Sequence, residues 1–129
     1  MVLKNIELLN LSEAIIELIN SNNELSIKTI YRLNKNIKKM AELKGLIEQQ
    51  RNDIVIKAKD NNWINIDTDG RVQIAPGNEI EAQNFVNELN ELYSIDNEIE
   101  LETFALDELG DIKFSGTNKM VILKIIEEE

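Results

Sequence analysis

The chain has 129 residues, 43 % of them hydrophobic, which suits one domain of ordinary size and argues against wholesale disorder. It has no cysteine and no histidine, so disulfides, thiolate metal sites and cysteine nucleophiles are excluded and the commonest general base and zinc ligand are missing. Its net charge of −10 hides an asymmetry: residues 28–59 carry nine Lys and Arg against three acids, net +6, whereas residues 1–27 carry −3 and residues 60–129 carry −13. A basic stretch inside an acidic remainder is satisfied within the molecule, between copies or by a foreign partner.

In chain order, residues 2–9 (VLKNIELL) alternate loosely and read as a short strand. Ser12 reads as the N-cap of a short helix with Ala14, Ile15, Leu18 and Ile19 on its apolar stripe, ending in the polar run 20–23. Residues 26–60 then predict one long helix, the spine of the fold. Ile30, Leu33, Ile37, Met40, Ile47 and Ile54 recur at steps of three, four or seven, and Leu43 and Leu46 widen the stripe. Ser26 is placed to cap it, and Asn61 and Asn62 to end it. At 1.5 Å per residue the rod is roughly 50 Å long, too long for one round core of this chain to surround.

WINIDTDGRVQI (63–74) predicts a β-hairpin turning at Asp69-Gly70. Asn78 and Glu81 resemble a capping box opening a second helix, to about Ser94, that buries Ala82, Phe85, Val86, Leu89, Leu92 and Tyr93. This helix is expected to return antiparallel to the spine, with Glu79, Glu81, Glu88 and Glu91 beside the lysines. Residues 98–106 (EIELETFAL) alternate and read as a strand, with Ile99 and Leu101 on one face and Glu98, Glu100 and Glu102 on the other, able to pair with the N-terminal strand. A turn around Gly110, a short extended stretch at 112–114 and a helix opening at 115–117 follow, with an acidic ending at 127–129. The expected fold is α+β and mostly helical, one domain over 1–129. It consists of a long antiparallel helical hairpin over about 26–94, a small β-sheet from about 2–9 and 98–106, and short packing helices.

Three groups of residues invite a chemical reading. Residues 65–70 place oxygen ligands at alternate positions before a glycine, as an EF-hand loop begins, but its twelfth position is Pro76 where calcium needs a glutamate, so a hairpin turn is the better reading. Glu98, Glu100 and Glu102 suit acid–base or metal work only if their environments differ; on one face of a strand they read as a solvated edge. Lys28, Arg32, Lys35, Lys38, Lys39 and Lys44 can track phosphates, but Tyr31 is the only aromatic among them, which makes nucleic acid an unlikely partner. No nucleophile–base pair stands out, so an enzyme is not expected and no cofactor or metal is implied. No apolar run reaches membrane-spanning length, and the first ten residues do not read as a secretory signal.

The run YRLNKNIKKM (31–40), then FVNELNELYSIDNEIEL (85–101), then the short acidic ending after Met120 resembles, in layout, a group of small uncharacterised proteins encoded by bacteriophages and prophages. A basic helix, a charged middle and a strand with alternating glutamates occur there in the same order over most of the chain, and the Asn, Ile, Lys and Glu richness suits a low-GC genome. The resemblance implies a viral accessory role in the host cytoplasm or the virion and carries over no catalytic residue. The expected function is that of a non-enzymatic interaction protein, self-associating, with a structural or assembly role. Its interface would be Lys28, Arg32, Lys35, Lys38 and Lys39 with Ile37 and Met40, facing another copy or another phage or host protein. The alternative is a small acidic inhibitor that binds a host defence protein through Glu98, Glu100 and Glu102; a nucleic-acid-binding accessory protein using the basic helix comes third.

Overall fold

The long helix forms where the apolar spacing demands it. In the computed structural model, which describes residues 1–21, 24–110 and 117–127, this helix (α2) spans Ile27–Asp60. Ser26 caps its start: the Thr29 amide donates to Ser26 Oγ at 3.1 Å and the Ile30 amide to Ser26 O at 3.0 Å. It ends in a left-handed turn at Asn62 (φ 59°), where the Trp63 amide reaches back to Ala58 O at 2.9 Å and satisfies one of the helix's terminal carbonyls. Asparagine, whose short polar side chain can bond locally, is among the few residues with a side chain that adopt that backbone conformation.

The remaining elements are β1 (Val2–Lys4), α1 (Asn5–Ser21), β2 (Ile64–Ile66), β3 (Val72–Ile74), α3 (Glu79–Tyr93), β4 (Asp96–Glu98) and α4 (Thr117–Ile122), with single 3-10 turns at Leu106–Leu109 and Leu123–Ile125. The chain is mostly helical α+β with two small antiparallel sheets, β1–β4 and β2–β3. The expected pairing of the N-terminal strand with the strand near Glu98 is present but short, with Val2 opposite Glu98 and Lys4 opposite Asp96. Two expectations need correction. Residues 2–9 are not all strand: the chain turns helical at Asn5, because Leu8, Leu11, Ile15 and Leu18 form one continuous buried stripe. Ser12 is therefore buried inside α1 and is not its cap. Nor does the strand run to Leu106: it spans Asp96–Glu98, and the pairing with the N-terminus ends one residue on, where the Met1 and Ile99 nitrogens each donate to the other's carbonyl at 2.9 Å. The expected extended stretch at 112–114, the helix opening at Ser115 and Gly116, and the last two glutamates lie outside the described residues.

The chain divides into two compact units. The first is built from Met1–Lys44 and Asp96–Glu129, the second from Gly45–Ile95. The first holds α1, the N-terminal part of α2, the β1–β4 sheet and α4, which packs on α1. Among the described residues, eleven of the twelve largest fully buried side chains belong to it, including Leu3, Leu11, Leu33, Met40, Phe104 and Ile125. Each such side chain contributes about 1.5–3 kcal/mol through burial, so this unit carries most of the hydrophobic stabilisation found among the described residues.

The second unit holds the C-terminal part of α2, the β2–β3 hairpin and α3, around a thin core of Ala58, Ile64 and Phe85 flanked by Ile54, Val55, Trp63 and Leu89. Of the four α3 glutamates expected beside the spine's lysines, Glu88 pairs with Lys57 of α2 at 3.8 Å, whereas Glu79, Glu81 and Glu91 make no ion pair among the described residues. Asn78 sits at the N-cap of α3 but makes no side-chain cap bond, so the expected capping box is absent. Its amide group instead donates to Asn62 O and Pro76 O, both at 3.3 Å.

Candidate functional site

Residues 32, 36 and 39 fall on one face of α2, three and four positions apart, and in the first unit that face grips an extended acidic segment, residues 100–104. Asn36 is the centre of the grip. It is fully buried, and its side-chain amide makes two bonds to one residue: Nδ2 donates to Glu102 O at 3.0 Å, and Oδ1 accepts from the Glu102 amide at 2.7 Å. An asparagine thus does for residue 102 what a neighbouring strand does in a sheet. One turn before it, the Arg32 guanidinium lies 4.5 Å from the centre of the Phe104 ring, donates to Thr103 O, and pairs with Glu108 at 2.9 Å. One turn after it, Lys39 Nζ donates to Glu100 O at 3.0 Å.

The far edge of the same segment is held by the C-terminal residues. The Phe104 amide donates to Ile125 O and the Glu127 amide to Phe104 O, both at 2.8 Å. Thr103 Oγ1 donates to Glu127 at 2.8 Å. The segment is therefore clamped between α2 and the chain's end, with its backbone groups bonded to side chains on one edge and to main chain on the other. This accounts for the missing ladder beyond Ile99.

The expected interface residues fare differently. Arg32, Lys35 and Lys39 are engaged within the molecule, Lys35 with Glu102 at 3.6 Å. Met40 is fully buried and offers no surface, and Ile37 is half-buried. Lys28 and Lys38 are exposed and make no ion pair or hydrogen bond among the described residues. Of the acidic trio, Glu102 is half-buried and paired, whereas the carboxylates of Glu98 and Glu100 are exposed and unpaired among the described residues.

Next to the gripping face, Tyr31, Asn34, Lys35, Lys38, Lys39 and Glu42 line an open concavity of about 560 Å³. Tyr31 is 63 % exposed, and the Lys35 ammonium lies 5.4 Å from the centre of its ring. Three ammonium groups against one carboxylate make it a cationic surface with an aromatic at one end.

In the second unit the hairpin presents a different surface. Its cross-strand pairs, Ile64 with Ile74 and Ile66 with Val72, share one face by the period of two. Ile64 is buried against Ala58 and Phe85, but Ile66, Val72 and Ile74 are 41, 48 and 56 % exposed. The face that builds the core therefore continues into solvent. At the hairpin's tip the Asp67 carboxylate is spent on the turn, accepting from the Asp69 amide at 3.0 Å, the Arg71 amide at 2.9 Å and Gln73 Nε2 at 3.4 Å. This is the side chain–backbone turn that aspartate favours, and it agrees with the hairpin reading of 65–70 over the calcium one. Among the described residues no group of three or more acids, His or Cys is placed to hold a metal ion, and no helix is long and apolar enough to cross a membrane.

Glu7 anchors a second charged contact. Lys124 Nζ lies 2.8 Å from Glu7 Oε2, and the Lys4 amide donates to Glu7 Oε1 at 3.0 Å. The lysine first, and the amide second, hold the Glu7 carboxyl below the ordinary value of 4.5.

Reading by periodicity found the basic helix and the acidic run but missed Asn36, Tyr31 and the bare half of the hairpin. The hairpin was legible, since INI and VQI each place two aliphatics on one face; Asn36 had no distinguishing mark among the asparagines of α2. Comparison of the chain with protein-family models, with curated proteins and with solved structures finds no match.

Proposed function

We propose that this chain is a non-enzymatic interaction protein of a bacteriophage or prophage that self-associates in a structural or assembly role. The observation that carries the reading is the apolar face of β2–β3, where Ile66, Val72 and Ile74 stand exposed in continuation of a core too thin to cover them. Apolar surface arranged this way is the usual mark of an interaction site, and a second copy is the commonest partner. The phage setting rests on the resemblance in layout described above. Arg32, Lys35 and Lys39 are a poorer basis for the contact than the sequence suggests, because they hold the chain's own acidic segment.

The test is the absolute mass in solution by light scattering on a sizing column. A defined oligomer that survives dilution, and that the double change Val72→Lys with Ile74→Lys reduces to a smaller species, is the expected result. A wild-type monomer at every concentration rules the reading out. The unpaired carboxylates of Glu98 and Glu100 favour a second reading, a small acidic inhibitor of a host protein. In that case the monomer captures one host protein, and Glu98→Gln with Glu100→Gln abolishes the capture.

A further inference from the structure

The first unit carries two surfaces of opposite charge that its own contacts leave incomplete. One is the concavity on α2, where Lys38 has no partner among the described residues, Lys35 meets Glu102 and the Tyr31 ring, and Lys39 bonds Glu100 O. The other is the start of the acidic segment, where the carboxylates of Glu98 and Glu100 project without partners among the described residues.

The molecule itself shows which ligand this helix suits. On the adjoining row, Arg32, Asn36 and Lys39 bind an extended acidic stretch through three carbonyls and an amide, and Lys35 meets its Glu102 carboxylate. The concavity offers a carboxamide and an ammonium one row over, from Asn34 and Lys38, beside the Tyr31 ring that Lys35 faces at 5.4 Å. Glu42, four residues beyond Lys38, offsets part of the charge and leaves the lining net positive.

We propose that the concavity receives the acidic run at Glu98 and Glu100 of a second copy of this chain, with Lys38 as the cation that meets it. The argument for a second copy is charge complementarity between two surfaces of the same unit. Because the two patches differ, each copy can give one and receive the other, a head-to-tail contact. The contact is electrostatic and exposed, so it weakens as salt shortens the screening length from about 10 Å at 0.1 M to about 3 Å at 1 M.

This inference rests on the reading of the protein as self-associating, and the experiment separates the two. The mass of wild type, Lys38→Glu, and Lys38→Glu combined with Glu98→Lys and Glu100→Lys is measured by light scattering at low and at high salt, with helix content by circular dichroism as the control for folding. Lys38 is exposed and unpaired, so its reversal leaves the fold intact. The expected result is an oligomer for wild type that loses mass at high salt, a smaller species for Lys38→Glu, and recovery of mass when the charges are exchanged. A wild-type oligomer whose mass Lys38→Glu leaves unchanged overturns the concavity as an interface while self-association stands. A wild-type monomer at both salts overturns self-association itself, and this inference with it.

Discussion

At Asn36 a single carboxamide replaces a strand. Its two bonds to Glu102 are the only hydrogen bonds that residue's backbone amide and carbonyl make among the described residues, and Asn36 is itself fully buried. Truncating it leaves one donor and one acceptor of a half-buried residue poorly paired. Orphaned buried groups cost more than the net worth of the bond. Asn36→Ala is therefore expected to lower the unfolding free energy by about 2–3 kcal/mol, read as a fall in the urea midpoint. Lys38→Ala, on the exposed side of the same helix, should stay within about 0.5 kcal/mol of wild type.

Glu7 makes a prediction with a sign. Its lowered carboxyl means that the folded chain binds this proton less readily than the unfolded chain does. The stabilisation is complete above the unfolded value of 4.5 and is lost as pH falls through the lowered folded one. Glu7→Gln should thus be less stable than wild type near neutral pH, with the gap closing in acid. Urea midpoints for both proteins near pH 7 and near pH 3 check it. A gap of equal size at both values would mean that Glu7 acts through packing and not through its charge.

At the scale of elements, α2 contains the one glycine of its interior, Gly45, at the position where the two units divide. A β-carbon added there meets nothing within 4 Å, so packing does not require glycine. Glycine costs a helix interior about 0.5–1 kcal/mol relative to alanine. Gly45→Ala is expected to raise stability by that amount in a urea titration, and a loss of stability would show that the helix must bend or open at this point.

The long helix, its Ser26 cap and the hairpin were legible because each follows from local rules: a repeating apolar stripe, a hydroxyl before it, and an Asp-Gly turn between two short apolar runs. The start of α1 was misread: Leu8, Leu11, Ile15 and Leu18 step by three and four, but the alternation of Ile6, Glu7 and Leu8 imitates a strand over a few residues, which moved the expected helix start to Ser12. The fate of residues 98–106 was not legible. Alternation marks an extended chain and says nothing of what bonds its edges, and here one edge goes to side chains of a helix more than sixty residues away. The basic face of α2 was found by its charge, yet charge alone did not distinguish Arg32, Lys35 and Lys39, which bind at home, from Lys28 and Lys38, which do not.

At the scale of the whole molecule, the net charges of the blocks are partly settled within the units. Arg32 meets Glu108 and Lys35 meets Glu102 in the first, and Lys57 meets Glu88 in the second. These pairs are largely exposed and each contributes at most about 1 kcal/mol, so they steer and position more than they stabilise. Burial is unequal as well. The first unit is well cored, whereas the second buries one large side chain fully, Ile64, among the described residues and leaves aliphatics of the same sheet face in water.

The first unit is assembled from both ends of the chain, with Gly45–Ile95 lying between its halves in the sequence. A ribosome therefore releases α1, with Leu8, Leu11, Ile15 and Leu18 on its stripe, about a hundred residues before α4, which packs on it. At 5–20 residues per second, that interval lasts roughly 5–20 s. During it the nascent chain displays an amphipathic helix without its cover, in the form that holdase chaperones bind and that neighbouring nascent chains can trap.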